Sequence, residues 1–98
     1  MIKHMIIWKL KDGLENPEAK KQEIKKALEG LVGKIDGLVE MKIQTECLPS
    51  SNVDVMLYSV LESKEALKGY AIHPEHVKVA DTLVRPFTDS RSCIDFEI

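Results

Sequence analysis

The sequence predicts an α+β fold in which one sheet packs against helices in the order β-α-β-β-α-β, the ferredoxin-like pattern. The chain has 98 residues, which suffices for one domain spanning 1–98. Two segments have the apolar spacing of helices, at 17–32 and at 63–85. The segments that alternate apolar and polar residues, as strands do, are 2–11, 38–48, 53–61 and 90–98.

The composition argues against several classes of function. Hydrophobic residues make up 44% of the chain and charged residues 31%, which is typical of a soluble globular protein. The formal net charge of −2 gives no basic surface, so we expect no nucleic-acid partner. No apolar run approaches the roughly 18 residues of a membrane span, so we expect no membrane association. Cys47 and Cys93 lack metal-type spacing and are predicted to be buried, reduced thiols of a cytoplasmic protein.

The first and third strands are apolar on both faces. On the first strand, one face carries His4, Ile6 and Trp8, while the other carries Met5 and Ile7 in its middle. The protein's own helices can cover only one side of the sheet. A second subunit is the simplest cover for the other side, so the pattern predicts a homodimer. The second strand has one polar face and is predicted to lie near an edge of the sheet.

The helical segments carry recognisable start signals. Asn16 is a good N-cap and Pro17 a good first helical residue, and Ser63 can cap the second helical segment. Pro74 suits a first helical turn and restricts His73 to extended conformations, so one helix should end near Ile72 and another begin at Pro74.

This corner brings together the candidate catalytic residues. Tyr70 shares a helical face with Leu67, and His76 lies four residues before Ala80 on the edge of the next apolar stripe. A phenol and an imidazole beside one apolar space could transfer protons. The alternative is a buried pair satisfied by backbone groups, which is the more common case for buried polar side chains. His4 faces the same layer and is the candidate third member.

No cofactor or metal is predicted. The chain has no Gly-rich phosphate loop and no metal-type cysteine pair. His73 and His76 are three residues apart, but His73 at an N-cap should point away from His76. His4 is the only other histidine, so a transition-metal site would lack ligands.

The opening 2–11, the Tyr70-x-x-His-Pro-x-His76 stretch and the closing 94–96 resemble the stress-responsive A/B barrel family, also called Dabb. The resemblance covers the whole chain. It implies ferredoxin-like subunits that pair through their sheets into a dimeric α/β barrel. One plant member is a polyketide cyclase that needs no cofactor, whereas many bacterial members have no known activity.

The resemblance also implies roles for individual residues. Tyr70 and His76 match the cyclase's catalytic pair and His4 its pocket histidine, while Leu28 stands where the cyclase has a second pocket tyrosine. Two hypotheses follow. The first is a non-catalytic dimer with a small apolar pocket and a ligand-binding or structural role in stress. The alternative is a cofactor-independent cyclase, isomerase or monooxygenase-like enzyme acting on a small carbonyl or polyketide-like compound. In either case, the residues expected to line the binding pocket are His4, Ile6, Trp8, Leu28, Leu57, Ser59 and Leu83.

Overall fold

Four strands and three helices follow the predicted order in a computed structural model that describes all residues from 1 to 98. The elements are β1 (Ile2–Leu10), α1 (Pro17–Glu29), β2 (Leu38–Gln44), β3 (Val55–Leu61), α2 (Lys64–Ile72), α3 (Pro74–Val79) and β4 (Thr88–Glu97). After α3 the chain continues as a π-helical turn, Ala80–Val84, and a 3₁₀ turn, Arg85–Phe87.

Several elements are shorter than predicted. Helix α1 ends at Glu29, where the N–H of Gly30 bonds to the carbonyls of Lys26 and Leu28. Strand β2 ends at Gln44 rather than Leu48, although apolar alternation continues beyond it. Because β3 pairs with β2 only as far as Met56↔Gln44, the residues between them form a loop.

The sheet has the order β2-β3-β1-β4, and every pair of neighbours is antiparallel. Strand β2 lies at one edge, as its polar face predicted, and β4 lies at the other. Strands β1 and β3, which are apolar on both faces, are the two central strands. In the register of the sheet, Met5 of β1 lies between Tyr58 of β3 and Ile94 of β4.

The core lies between one face of the sheet and the helices. Ile6 and Trp8 of β1 are buried there against Ile24 and Leu28 of α1. Alternation in the sequence predicted that Ile6 and Trp8 share this face of β1. Burying such side chains stabilises the fold by roughly 1.5–3 kcal/mol each relative to exposure.

The helix starts follow the cap signals. The side chain of Asn16 accepts a hydrogen bond from the N–H of Ala19 at 3.1 Å. Ser63 accepts from the N–H of Ala66 at 3.0 Å. These bonds satisfy backbone donors that the first helical turn leaves unpaired.

The other face of the sheet is apolar and uncovered. Ile7, Ile94 and Phe96 are all exposed, and Met5 and Tyr58 are half-buried beside them. Lys3 places its ammonium 5.2 Å from the centre of the Tyr58 ring. None of the helices combines the length and hydropathy that a transmembrane segment requires.

The prediction that both cysteines are buried is wrong. Cys47 and Cys93 are free thiols and both are exposed. Cys47 lies in the loop beyond the end of β2, and Cys93 lies on the edge strand β4. Alternation placed Cys93 on the helix-side face of its strand, but the helices do not extend far enough to cover that edge.

Candidate functional site

The corner between α2 and α3 positions Tyr70 and His76. His73 adopts the extended conformation that a following proline imposes, with φ −64° and ψ 132°. Its Nδ1 accepts a hydrogen bond from the N–H of Glu75 at 3.1 Å, so His73 caps α3. The change of direction brings the Tyr70 and His76 rings to a centroid distance of 4.2 Å, at an interplanar angle of 37°.

Tyr70 carries a buried hydroxyl without a partner. The residue is 2% exposed, and its Oη is the one buried side-chain polar atom that makes no hydrogen bond in the structure. Burial raises the pKa of the phenol well above its usual value, and the charge of Arg91 opposes this only in part. Tyr70 therefore stays protonated at neutral pH and offers one O–H donor that nothing in the subunit accepts.

His76 has a defined orientation. Its Nδ1 lies 3.2 Å from the carbonyl oxygen of Ala71, in the last turn of α2. A carbonyl oxygen can only accept, so Nδ1 carries the proton and Nε2 of the neutral ring is an acceptor. Burial lowers the pKa of His76, and the nearby charges of Arg85 and Arg91 add to this effect. The imidazole is therefore a neutral base at neutral pH.

The two rings border a cavity of about 90 Å³ on the helix side of the sheet. Six of the predicted pocket residues line it: Ile6, Trp8, Leu28, Leu57, Tyr70 and His76. The remaining lining residues, which the sequence analysis did not anticipate, are Ala80, Val84, Arg85, Thr88 and Arg91. The cavity is thus apolar at its base and carries two guanidinium groups.

A larger depression of about 560 Å³ lies at the β2 edge of the sheet, and Lys25, Glu29 and Tyr58 are among the residues that line it. It is broad and open to solvent. Its principal charged groups already have partners, since Glu29 binds both Lys25 and the N–H of Ile43. We therefore regard the smaller cavity, with its unpartnered hydroxyl, as the candidate site.

Three of the expected pocket residues do not line the cavity. The His4 ring contacts Tyr70 edge-on, with a centroid distance of 5.9 Å, but its Nδ1 bonds to the carboxylate of Asp95 on β4. Ser59 is fully buried and donates to the carbonyl oxygen of His4 at 2.8 Å. Leu83 lies half-exposed on the π-helical turn. His4 and Ser59 thus support the site from behind, whereas Leu83 lies beside it.

His4, Cys93 and Asp95 form the one cluster in the structure whose donor atoms could meet at a metal ion, all within 4.8 Å of one another. Nitrogen, sulfur and carboxylate oxygen are donors that zinc accepts. The bond between His4 and Asp95 accounts for their closeness without an ion. The expectation of no metal therefore remains a prediction.

Comparison with protein families identifies the chain. The model of the family described as Stress responsive A/B Barrel Domain, or Dabb, matches residues 2–98. The chain belongs to this family. Comparison with proteins of curated function gives no match.

Solved structures similar to this Dabb chain include a dimeric protein of unknown function from Bacteroides fragilis with a ferredoxin-like fold. It is 29% identical, with a TM-score of 0.90 over 99% of this chain and 95% of that one. A dimeric ferredoxin-like protein from Thermobifida fusca is 20% identical, with a TM-score of 0.85 over 99% and 90%. A hydroxynitrile lyase from Passiflora edulis is 15% identical, with a TM-score of 0.83 over 99% and 92%. The last two identities are low enough that the likeness concerns the fold alone.

Only a weak sequence pattern indicated that arginines line this Dabb site. Arg91 alternates with Cys93 and Asp95, so all three share one face of β4, and β4 pairs with β1 so that Arg91 lies opposite Trp8. The alternation was visible, but the strand pairing was not. Arg85 and Thr88 follow the π-helical turn Ala80–Val84, which no residue type predicts.

Proposed function

We propose that this Dabb protein acts, without a cofactor, as an acid–base catalyst on a small carbonyl compound. Tyr70 would donate a hydrogen bond to the carbonyl oxygen, and His76 would remove a proton from the adjacent carbon. The observation that carries the proposal is the unpartnered hydroxyl of Tyr70, which is almost fully buried at the cavity beside a neutral imidazole.

The chemical step is an enolisation. The C–H bond next to the carbonyl breaks, its proton moves to Nε2 of His76, and its electron pair forms the C=C bond of an enolate. The negative charge on the enolate oxygen is stabilised by the hydrogen bond from Tyr70. Return of the proton from His76 to the same carbon regenerates the substrate, and its transfer to another carbon completes an isomerisation. In a cyclisation, the enolate carbon would bond to a second carbonyl carbon, and His76 would give its proton to the resulting alkoxide oxygen.

The structure has features that suit this step. An unpaired polar group in a protein interior costs about 1–3 kcal/mol, so the Tyr70 hydroxyl favours a ligand that accepts its hydrogen bond. The lowered pKa of His76 keeps the base unprotonated near neutral pH. The apolar base of the cavity strengthens electrostatic interactions with the developing enolate.

We also propose that the functional form is a homodimer, built through the apolar outer face of the sheet. The exposed side chains of Ile7, Ile94 and Phe96 on that face support this, as does the dimeric state of the Bacteroides fragilis relative. The free, exposed thiols of Cys47 and Cys93 suit a reducing compartment such as the cytoplasm.

A second candidate function is binding without turnover. It is favoured by the direct contact of the Tyr70 and His76 rings, which also helps to close the cavity. A binding protein would use the Tyr70 hydroxyl to hold a carbonyl ligand but would not need the basicity of His76.

Exchange of carbon-bound hydrogen for deuterium tests the enzymatic proposal. Acetylacetone and other small β-dicarbonyl compounds would be incubated with the protein in D₂O and followed by NMR. We expect His76→Gln and Tyr70→Phe each to lower the protein-dependent exchange rate by about 100-fold, as is typical for removal of one acid–base or hydrogen-bonding group.

Tyr58→Phe is the matched control, because it removes a tyrosine hydroxyl from the opposite face of the sheet. Exchange no faster than in buffer would contradict the enzymatic proposal. If the compounds nevertheless bind, and His76→Gln binds as tightly as the wild type, the protein is a binding protein instead.

A further inference from the structure

Arg91 adds a positive charge to the candidate site, and the proposed acid–base roles of Tyr70 and His76 do not require this charge. It lies on β4 directly opposite Trp8 of β1 and lines the cavity together with Trp8, Tyr70 and His76. Its positive charge partly offsets the raised pKa of Tyr70 and adds to the lowering of the pKa of His76 by burial.

The two arginines of the cavity differ in their partners. Arg85 is held by the carboxylate of Asp81, one helical turn earlier. No ion pair in the structure includes Arg91. Of the aspartates of β4, Asp95 is bound to His4, and Asp89, two residues before Arg91, forms no ion pair with it. Arg91 interacts with the thiol of Cys93, which is a weak acceptor.

Three polar groups at the cavity therefore lack a strong hydrogen-bond or ion-pair partner within the subunit. These are the O–H of Tyr70, the acceptor Nε2 of His76 and the guanidinium of Arg91. A guanidinium matches the two oxygens of a carboxylate, which can accept two parallel hydrogen bonds from it. A ligand that satisfied all three would have a carbonyl group, an acidic C–H and a carboxylate.

We propose that the ligand of this cavity is a small oxo acid, whose carboxylate is bound by Arg91 while its carbonyl oxygen accepts a hydrogen bond from Tyr70. This inference rests on the proposed function and specifies its substrate class. A cavity of about 90 Å³ equals the share of roughly three waters in the liquid, so only the reacting end of the ligand fits inside it. The carboxylate then lies at Arg91, whose side chain is exposed to solvent.

The proposed contact has a further role in the enolisation. Removing a proton from an oxo acid adds a second negative charge beside the carboxylate. Because Arg91 has no carboxylate of its own, its charge remains available to offset this repulsion. A neutral carbonyl compound would gain less from the same residue.

A pair of ligands that differ in charge but hardly in shape tests the inference. Acetoacetate and acetoacetamide have the same carbonyl group and nearly the same size, but only the first is an anion. Calorimetric titration would measure the affinity of each for the wild type and for Arg91→Gln. We expect the wild type to bind acetoacetate at least about 10-fold more tightly than acetoacetamide, and Arg91→Gln to lose that preference.

Lys9→Gln is the matched control, because it removes one positive charge from an exposed position of β1 outside the cavity. It should keep the full preference for acetoacetate. Arg91→Lys retains the positive charge but cannot donate two parallel hydrogen bonds, so it should show part of the preference for acetoacetate. Thermal unfolding of each variant would verify that it is folded.

The outcomes separate this inference from the proposed function. Equal affinity for the two ligands in the wild type would overturn the assignment of an oxo acid, while leaving a carbonyl site intact. A preference that survives in Arg91→Gln would overturn the role of Arg91. If neither ligand binds to the wild type, this inference fails, whereas the proposed function is overturned only if the exchange experiment with acetylacetone also shows no protein-dependent rate.

Discussion

Individual residues in the candidate site act through their protonation states. Tyr70 and His76 are both neutral near pH 7, for the same reason: burial disfavours the charged form of each. In the phenol this raises the pKa, and in the imidazole it lowers the pKa. A donor and a base can thus coexist in contact without exchanging a proton between them.

The pKa of His76 gives a prediction about pH. Its native value lies below its unfolded value of about 6.5, so the unfolded chain binds more protons between the two values. The free energy of unfolding should therefore fall as the pH drops below about 6.5. His76→Gln should remove that part of the acid sensitivity, as chemical denaturation at several pH values would measure.

Activity should follow the same group. If His76 is the base, the exchange rate should decline only as the pH falls through the lowered native pKa, below the ordinary value of about 6.5. A decline centred above that value would show that another group acts as the base.

The residue scale also shows what the sequence can provide. Tyr70 and His76 were predicted to share one apolar layer from helical periodicity, and they do lie in contact. His4 was expected in the pocket, and alternation placed it on the correct face of β1. Its bond to Asp95 could not be predicted, because the partner is 91 residues away on a strand whose register the sequence does not specify.

Among the elements, the segment after α3 departs most from its prediction. A regular helix would place Ala80 and Leu83 on one face. Instead, the N–H of Arg85 bonds to the carbonyl of Ala80, five residues earlier, which widens the turn. Val84, which a regular helix would also place beside Ala80, lines the cavity, whereas Leu83 is half-exposed.

This widened turn predicts an unusual order of stabilities. Val84→Ala should cost more free energy of unfolding than Leu83→Ala, although leucine is the larger residue, because only Val84 is buried. We expect roughly 2–3 kcal/mol for Val84→Ala, from about 0.8 kcal/mol for each of the two buried carbons lost plus a cavity term. Urea denaturation of both variants would measure the difference, and equal losses would argue for a regular helix here.

At the scale of the whole molecule, the two faces of the sheet differ in what covers them. The helices cover one face, and the other exposes apolar side chains on β1 and β4. The sequence predicted this because β1 and β3 are apolar on both sides. It could not predict that the polar helix-side face of β4 stays uncovered, since that depends on how far the helices reach across the sheet.

The uncovered face predicts the effect of a single charge. Met5→Asp should dissociate the proposed homodimer, because an unpaired carboxylate in a buried apolar interface is costly. Sedimentation at micromolar concentration should show a dimer for the wild type and a monomer or unfolded chain for the variant. Lys9→Gln, at the exposed end of the same strand, should remain a dimer. A wild type that sediments as a stable monomer would contradict the proposed assembly.

Trp8 adds a consequence for how the site can be observed. It is the only tryptophan of the chain, it is 5% exposed, and it lines the cavity together with Tyr70 and the exposed Arg91. The intrinsic fluorescence of the protein therefore originates at the candidate site itself. A ligand that enters the cavity should shift or quench this emission, so the unlabelled protein can serve as its own optical sensor in a screen of carbonyl compounds.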